Sequence, residues 1–261
     1  MKFTTEQLDR FRDDGYTTVP EFFNKDEIKA MQAELERFKE SGLLRNIATD
    51  ADGKTHSTTA FNLQICPIAP KSDLFRSLGF AGKVVESVQQ LIGDPVVWQL
   101  DQIFLKPGRT GKGTAWHQDN AYFRIHDRRQ GVGMWTAIHD ANTANGTMRV
   151  IPRGDAQLLA HERDGASDHH IKCVVDESQA VPIELPAGGV LFFNYGVPHC
   201  TTGNNTDRER AGLALHFLRE EAMVKPESRL AILTGPNATH GVTEFGADQQ
   251  GMWERLVSQA S

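Results

Sequence analysis

The texture of the chain changes at Val96, and that change limits the fold more than any single motif. Before it, apolar residues recur at helical intervals. After it, short runs rich in Val, Ile, Phe and Trp alternate with turns: Val96 to Leu105, Gly131 to Ile138, Thr147 to Ile151, Val181 to Leu185, Val190 to Tyr195 and Ala211 to Phe217. Pro107-Gly108, Asn145-Gly146 and Pro186-Ala187-Gly188-Gly189 punctuate these runs. No helical pattern of ~10–15 residues separates them, so a parallel sheet built from βαβ units is disfavoured. Helices followed by many short strands point to an antiparallel barrel or sandwich braced from outside.

The N-terminal part carries explicit helix signals. Thr4 or Thr5 can cap a helix through Phe11, broken at Asp14-Gly15. Val19 to Phe23 reads as a connector. Asn24 with Glu27 three positions on is a capping-box pattern, and Ile28, Met31, Leu35 and Phe38 follow at spacings of three and four until Gly42. A third helix is expected from Phe80 to Leu91, stopped by Gly93-Asp94-Pro95. The expected organisation is one domain over 1–261. It comprises a helical support (1–94), a β core (95–220) and a C-terminal extension (221–261).

Composition narrows the function. With 28 Lys plus Arg against 34 Asp plus Glu, the net charge is −6, and no concentrated basic face is evident for nucleic acid. The three cysteines, Cys66, Cys173 and Cys200, form no disulfide framework. No stretch approaches the ~20 apolar residues of a membrane span, and the first residues lack the apolar run of a secretion signal. A cytoplasmic protein with a small-molecule partner, and neither nucleic acid nor membrane, is expected. Its oligomeric state is open.

Three residues suggest metal chemistry. In an extended backbone His117 and Asp119 share a face, since side chains repeat with period two. A His and a carboxylate are two of the three ligands of the facial triad of non-haem Fe(II). His199, after the strand Val190 to Tyr195, is the candidate third, because a closed antiparallel barrel makes neighbours of strands distant in sequence. The pair alone also reads as a surface His near an unrelated Asp. Arg210 precedes the apolar strand Ala211 to Phe217; pointed inward, its fork suits a carboxylate. Arg208, Glu209 and Arg210 read equally well as a charged turn. Thr201 can offer a hydroxyl to the same carboxylate. Gly108 to Thr114 lacks the spacing of a phosphate loop, and His161, His169 and His170 read as incidental polar-loop histidines.

Together these segments resemble the phytanoyl-CoA dioxygenase family of Fe(II)- and 2-oxoglutarate-dependent oxygenases. The resemblance is carried by Phe11-Arg12-Asp13-Asp14-Gly15-Tyr16, Phe104-Leu105-Lys106-Pro107-Gly108, Trp116-His117-Gln118-Asp119-Asn120-Ala121-Tyr122, Trp135 to Ile138, and Asn145 to Pro152, with His199, Thr201 and Arg210. It implies a mainly β fold, a double-stranded β-helix (jelly roll) with the N-terminal helices packed outside. It implies Fe(II) held by His117, Asp119 and His199, and 2-oxoglutarate held by Arg210, Thr201 and Trp135. O2 would be the second cosubstrate, with succinate and CO2 released. Related halogenating enzymes lack the carboxylate that Asp119 supplies, which favours hydroxylation. Gln118, Asn120, Tyr122 and Arg153 are the substrate-side candidates; Arg153 stands in Pro152-Arg153-Gly154-Asp155 where the family often has Pro-Gly-Ser-His. A non-catalytic, cupin-like metal- or ligand-binding jelly roll is the alternative.

Overall fold

The computed structural model describes residues 2–153 and 157–260. Helix α1 (Thr5–Asp14) begins at Thr4, whose hydroxyl accepts from the Gln7 N–H while the Gln7 side chain accepts from the Thr4 N–H. The chain then forms β1 (Tyr16–Val19), a strand hidden from sequence reading by its brevity. Helix α2 (Lys25–Glu40) has the reciprocal Asn24–Glu27 cap, and its Met31, Leu35 and Phe38 are fully buried. Two further strands, β2 (Arg45–Asn46) and β3 (Leu63–Ile65), precede α3 (Asp73–Gly79) and α4 (Gly82–Ile92). The helix expected from Phe80 to Leu91 is α4, which starts two residues later, and α3 before it is an additional helix. Ser72 caps α3 by accepting from the Phe75 N–H, and Ala81 adopts an extended conformation that breaks the run.

The strands of the second half are β4 (Val96–Lys106), β5 (Thr114–His117), β6 (Gly131–Ala137), β7 (Met148–Val150), β8 (His161–Arg163), β9 (Ile171–Cys173), β10 (Val181–Ile183), β11 (Val190–Asn194), β12 (His199–Thr201), β13 (Arg210–Arg219) and β14 (Ala231–Ile232). Short helices α5 (Asn120–Phe123) and α6 (Val242–Phe245) and the terminal α7 (Met252–Ala260) complete the described elements. The large sheet has the order β1-β11-β6-β13-β4-β3-β2, with β14 on β4. The smaller has the order β10-β7-β12-β5, and β8 and β9 form a separate hairpin. Every named strand pair is antiparallel. The stretch from His161 to His170, whose histidines read as those of a polar loop, thus contains β8 and the turn of this hairpin. The N-terminal part is not wholly helical either, because β1, β2 and β3 extend the large sheet on both sides.

Alternation along the strands divides the apolar residues between two cores. Ala211, Leu213, Leu215 and Phe217 of β13 face outward with Trp98, Ile103, Leu105, Val132 and Met134. They pack against Met31, Leu35, Phe38, Phe75, Val88 and Trp253 of the helices. Trp135, Leu191, Phe193 and Ala214 face the other way and meet Met148, Val150, Ile183 and Val197 of the smaller sheet. These two faces form the jelly roll, with helices outside the large sheet. A bulge at Gln99, where β13 passes from His216–Leu100 to Phe217–Trp98 pairing, lets Trp98 point to the helices while Leu100 faces inward.

One buried carboxylate ties three helices together. Glu27 of α2 accepts from Lys83 Nζ of α4 at 2.6 Å and from Trp253 Nε1 of α7 at 2.8 Å, besides the Asn24 N–H at 2.8 Å. Glu27→Ala strands the lysine, the indole N–H and the cap together. Losing one partner of a mostly buried pair costs ~3 kcal/mol, so denaturant unfolding should show a loss of about that size. A loss below ~1 kcal/mol would place the anchorage of the helices elsewhere.

Candidate active site

His117 ends β5 and lies directly across from His199 of β12. Asp119 follows where the strand gives way to α5: its φ and ψ are −59° and −31°, in the helical region. Its approach to His117 thus comes from this turn rather than from a continuous extended ladder. One Asp119 oxygen, Oδ1, lies 3.8 Å from His117 Nε2 and 3.6 Å from His199 Nε2. One ligand atom from each of the three side chains lies within 4.8 Å of the other two; no other such cluster occurs among the described residues.

Both imidazoles are anchored by the opposite nitrogen. His117 Nδ1 donates to the Ala115 carbonyl at 2.8 Å and His199 Nδ1 to the Val197 carbonyl at 3.0 Å. That tautomer leaves both Nε2 lone pairs facing Asp119, the arrangement a metal-binding histidine needs. Burial pushes the His117 pKa down to about 3, with His199 acting in the same direction, and burial also lowers that of His199. Both rings are therefore neutral donors near neutral pH. Burial works to raise the Asp119 pKa, but His199, His216 and His117 outweigh it and hold this group an ionised carboxylate. Its other oxygen, Oδ2, has no hydrogen-bond partner and faces His216 Nδ1 at 3.4 Å. Two neutral imidazoles and a carboxylate, converging without any internal hydrogen bond among them, fit a divalent iron.

A cavity of about 380 Å³ lined by His117, Asp119 and His199 is also lined by Lys106 and Arg210. Arg210 of β13 stands opposite Lys106 of β4 in the strand register, and each is 1 % exposed. Neither has a carboxylate partner among the described residues. Arg210 donates to the Gly146 carbonyl, while Lys106 Nζ donates to the Thr202 carbonyl at 2.6 Å and the Gly146 carbonyl at 3.3 Å. Gly146 makes this possible: its φ is +77°, and a Cβ there would lie 2.3 Å from the Thr202 carbonyl oxygen. Burial lowers the Arg210 pKa to about 10 and that of Lys106 well below the usual lysine range, Arg210 adding to the latter. Two buried cationic side chains without an anion are unstable neighbours, and a carboxylate entering between them would relieve both.

Trp135 and Thr201 line the same cavity. The Arg210 guanidinium lies 5.7 Å from the Trp135 ring centre, and a Cβ on Gly212 would fall 2.4 Å from Trp135 Nε1, so only glycine leaves the indole its place. Thr201 Oγ1 accepts from the Thr114 N–H at 3.0 Å and keeps its own proton free to donate.

The substrate-side candidates separate. Tyr122 lines the cavity, its ring 5.9 Å from that of His117 and its hydroxyl accepting from the Ile171 N–H. Gln118, Asn120 and Arg153 are not among the cavity's walls. Gln118 is fully buried, donating to the Gly196 and Gln157 carbonyls and accepting from the Leu159 N–H. Asn120 closes the α5 turn by exchanging two hydrogen bonds with the Ile125 backbone, and the Arg153 N–H donates to the Asp14 carbonyl. The strand alternation that brings His117 inward sends Gln118 into the supporting structure.

Sequence reading missed the inner role of Lys106, although its two-residue spacing from Phe104 on an alternating strand carried the signal. It also missed His216, whose position within an otherwise apolar run marked it. His216 joins a line of contacts that starts at the mouth. Arg45 Nη2 reaches Gln64 Oε1 at 3.4 Å, Gln64 Nε2 donates to Gln102 Oε1 at 3.0 Å, and Gln102 Nε2 meets His216 Nε2 at 3.4 Å. With Gln102 donating there, His216 carries its proton on Nδ1, facing Asp119.

The family model for phytanoyl-CoA dioxygenase (PhyH) matches residues 11–212. The chain is 25 % identical over 231 residues to an ectoine dioxygenase of Stutzerimonas stutzeri, covering 80 % of this chain and 74 % of that one. It is 27 % identical over 231 residues to a 2-aminoethylphosphonate dioxygenase of an uncultured bacterium, HF130_AEPn_1, covering 83 % and 82 %. In fold it is similar to the crystal structure of EctD from S. alaskensis with 2-oxoglutarate and 5-hydroxyectoine, with a TM-score of 0.66, 21 % identity, and coverage of 90 % and 85 %. A family match across most of the chain, on a jelly roll holding a two-histidine, one-carboxylate cluster, leaves one conclusion. The chain belongs to the phytanoyl-CoA dioxygenase family and is an Fe(II)- and 2-oxoglutarate-dependent oxygenase.

Proposed function

We propose that this oxygenase hydroxylates a C–H bond of a small, polar organic substrate, with succinate and CO2 as co-products. In this reading His117, Asp119 and His199 hold the iron, and Arg210, Lys106, Thr201 and Trp135 hold 2-oxoglutarate. The observation that carries it is the buried Arg210–Lys106 pair, which has no anion of its own in the cavity that contains the three metal-ligand candidates. A metal bound only for stability would need no carboxylate clamp, which is why the cupin-like alternative is set aside.

When bound, iron and 2-oxoglutarate supply the reduction of O2 and the oxidising power for C–H cleavage. The chain's own residues supply placement. Arg210 offers a planar fork to the far carboxylate of the cosubstrate, Lys106 a second cation, and Thr201 a hydroxyl. Trp135 walls the same space with its indole. His216 orients Asp119 by facing Oδ2, which leaves Oδ1 turned toward the two imidazoles. Tyr122, Phe123, Leu100 and Phe104 line the remaining space and limit water beside the reacting carbon. The relatives named for ectoine and 2-aminoethylphosphonate agree in class with such a substrate.

Among the described residues, no helix is long and apolar enough to cross a membrane. We place the protein in the cytoplasm because all three of its cysteines are free thiols, as a reducing compartment keeps them.

Two experiments test this reading. Calorimetric titration of 2-oxoglutarate should show Arg210→Ala weakening binding at least ~100-fold, because a charge is stranded at ~3–5 kcal/mol and ~1.4 kcal/mol is tenfold. Lys106→Met should cost ~10-fold or more and Thr201→Ala less than Arg210→Ala, while Fe(II) occupancy stays near that of the parent. Unchanged affinity in Arg210→Ala would remove the clamp from this site. Separately, Asp119→Ala should lose Fe(II) affinity and substrate-coupled succinate formation; turnover at the parent rate would show that the carboxylate is not a ligand.

A further inference from the structure

Resting on the reading of this cavity as the iron and 2-oxoglutarate site, we propose that the substrate carries an oxyanion, a carboxylate or phosphonate. It is bound between Arg45 and His170 on one side and the Gln64–Gln102 pair on the other. These residues line the same cavity, with Arg45 exposed where Lys106 and Arg210 are each 1 % exposed.

The donor balance of the cavity leads to this. Asp119 is its one carboxylate lining residue among the described residues, and Asp119 faces the imidazoles. A substrate recognised through an ammonium group would find no free carboxylate there. Nitrogen donors, by contrast, are in excess. His170 is 6 % exposed, lines the cavity and has no hydrogen bond to its ring nitrogens among the described residues. Phe104 flanks that ring at 5.8 Å between centroids, and His169 lies 4.3 Å from it.

Arg45 and His169 are held by a shared anchor. Asp168 binds Arg45 Nη1 through Oδ2 and His169 Nδ1 through Oδ1, while His56 Nε2 lies 3.3 Å from Oδ2. Asp168 is thus committed to three partners. It fixes Arg45 in place with most of its five guanidinium N–H groups available, and by accepting from His169 Nδ1 it orients that ring beside His170. The anchor also joins the two walls, since Arg45 belongs to the sheet through Gln64 and Asp168 to the turn between β8 and β9. Because Arg45 and Asp168 offset each other in charge, recognition falls to directed N–H donors. An oxyanion presents more strong acceptor lone pairs per atom than a neutral group of equal size.

The test uses full-length protein, anaerobic, loaded with Fe(II) and saturated with 2-oxoglutarate so that the inner cations are occupied. Propionate, ethylphosphonate and the neutral isostere propionamide are titrated by calorimetry, with the visible charge-transfer band as a second readout. At least one of the two oxyanions should bind with a dissociation constant below ~10 mM and at least ~10-fold more tightly than propionamide. Whichever of the two binds more tightly identifies the oxyanion as carboxylate or phosphonate. Arg45→Gln and His170→Phe should each weaken that binding ~10-fold while shifting 2-oxoglutarate affinity less than ~2-fold, and Arg45→Lys should recover part of it. His170→Phe keeps a ring beside Phe104 and so guards against loss of fold in the Arg45 variants. Equal binding of propionamide, no binding of either oxyanion, or full oxyanion binding in both variants overturns the inference. Failure of 2-oxoglutarate to bind the parent protein overturns instead the reading of the site on which it rests.

Discussion

The pairing of β4 with β13 is the constraint on which both halves of this molecule depend. The two strands run antiparallel from Arg210–Lys106 to Arg219–Val96, and their pleat sends alternate residues to opposite faces. One face supplies Leu213, Leu215 and Phe217 to the helix-covered core. The other supplies Arg210, Ala214 and His216 to the cavity. A slip of one residue would bury the apolar set in the site and turn the cations toward the helices. The energy that fixes the register is therefore hydrophobic and lies outside the site, while its geometric product is the site.

The electrostatics follow from the same arrangement. Lys106 and Arg210 are forced together by register, not by mutual attraction, and the helix-side packing holds them there. Such a pair is tolerable because backbone carbonyls of Gly146 and Thr202 accept some of its protons. At the other end, Asp119 is kept ionised by the imidazoles that surround it. The cavity thus has a place for an anion at one end and for a divalent cation at the other, separated by the apolar edges of Trp135 and Phe193.

Much of this was legible in the sequence, for identifiable reasons. The cap at Thr4 or Thr5 and the capping box at Asn24 are local and were readable. So were the strands from Val190 and from Arg210, whose apolar content and flanking turns are strong. Segments stabilised only by distant partners were not: β1 is four residues paired to β11, and β8 and β9 lie in a polar stretch. The same division holds in the site. His117, Asp119, His199 and Arg210 stood out as singular residues in structured contexts. Lys106 and His216 did not, because their meaning comes from what stands across the sheet. Gln118 and Asn120 were attractive for their nearness in sequence to the ligand pair, yet nearness along a pleated chain places alternate side chains on opposite faces.

The hairpin of β8 and β9 contributes no candidate iron ligand and no candidate residue for 2-oxoglutarate, yet its turn carries Asp168, His169 and His170. It is attached through Asp168 to Arg45, through backbone hydrogen bonds from its turn to Ile47, Thr49 and Gly53, and through Cys173, which packs with Trp116 and Cys200. Sequence change in its turn meets the cavity from one edge, whereas change in β4 or β13 alters core and site at once. The hairpin's share of the cavity wall thus lies on a stretch of chain that holds none of the iron-ligand candidates, and it can vary while they stay in place.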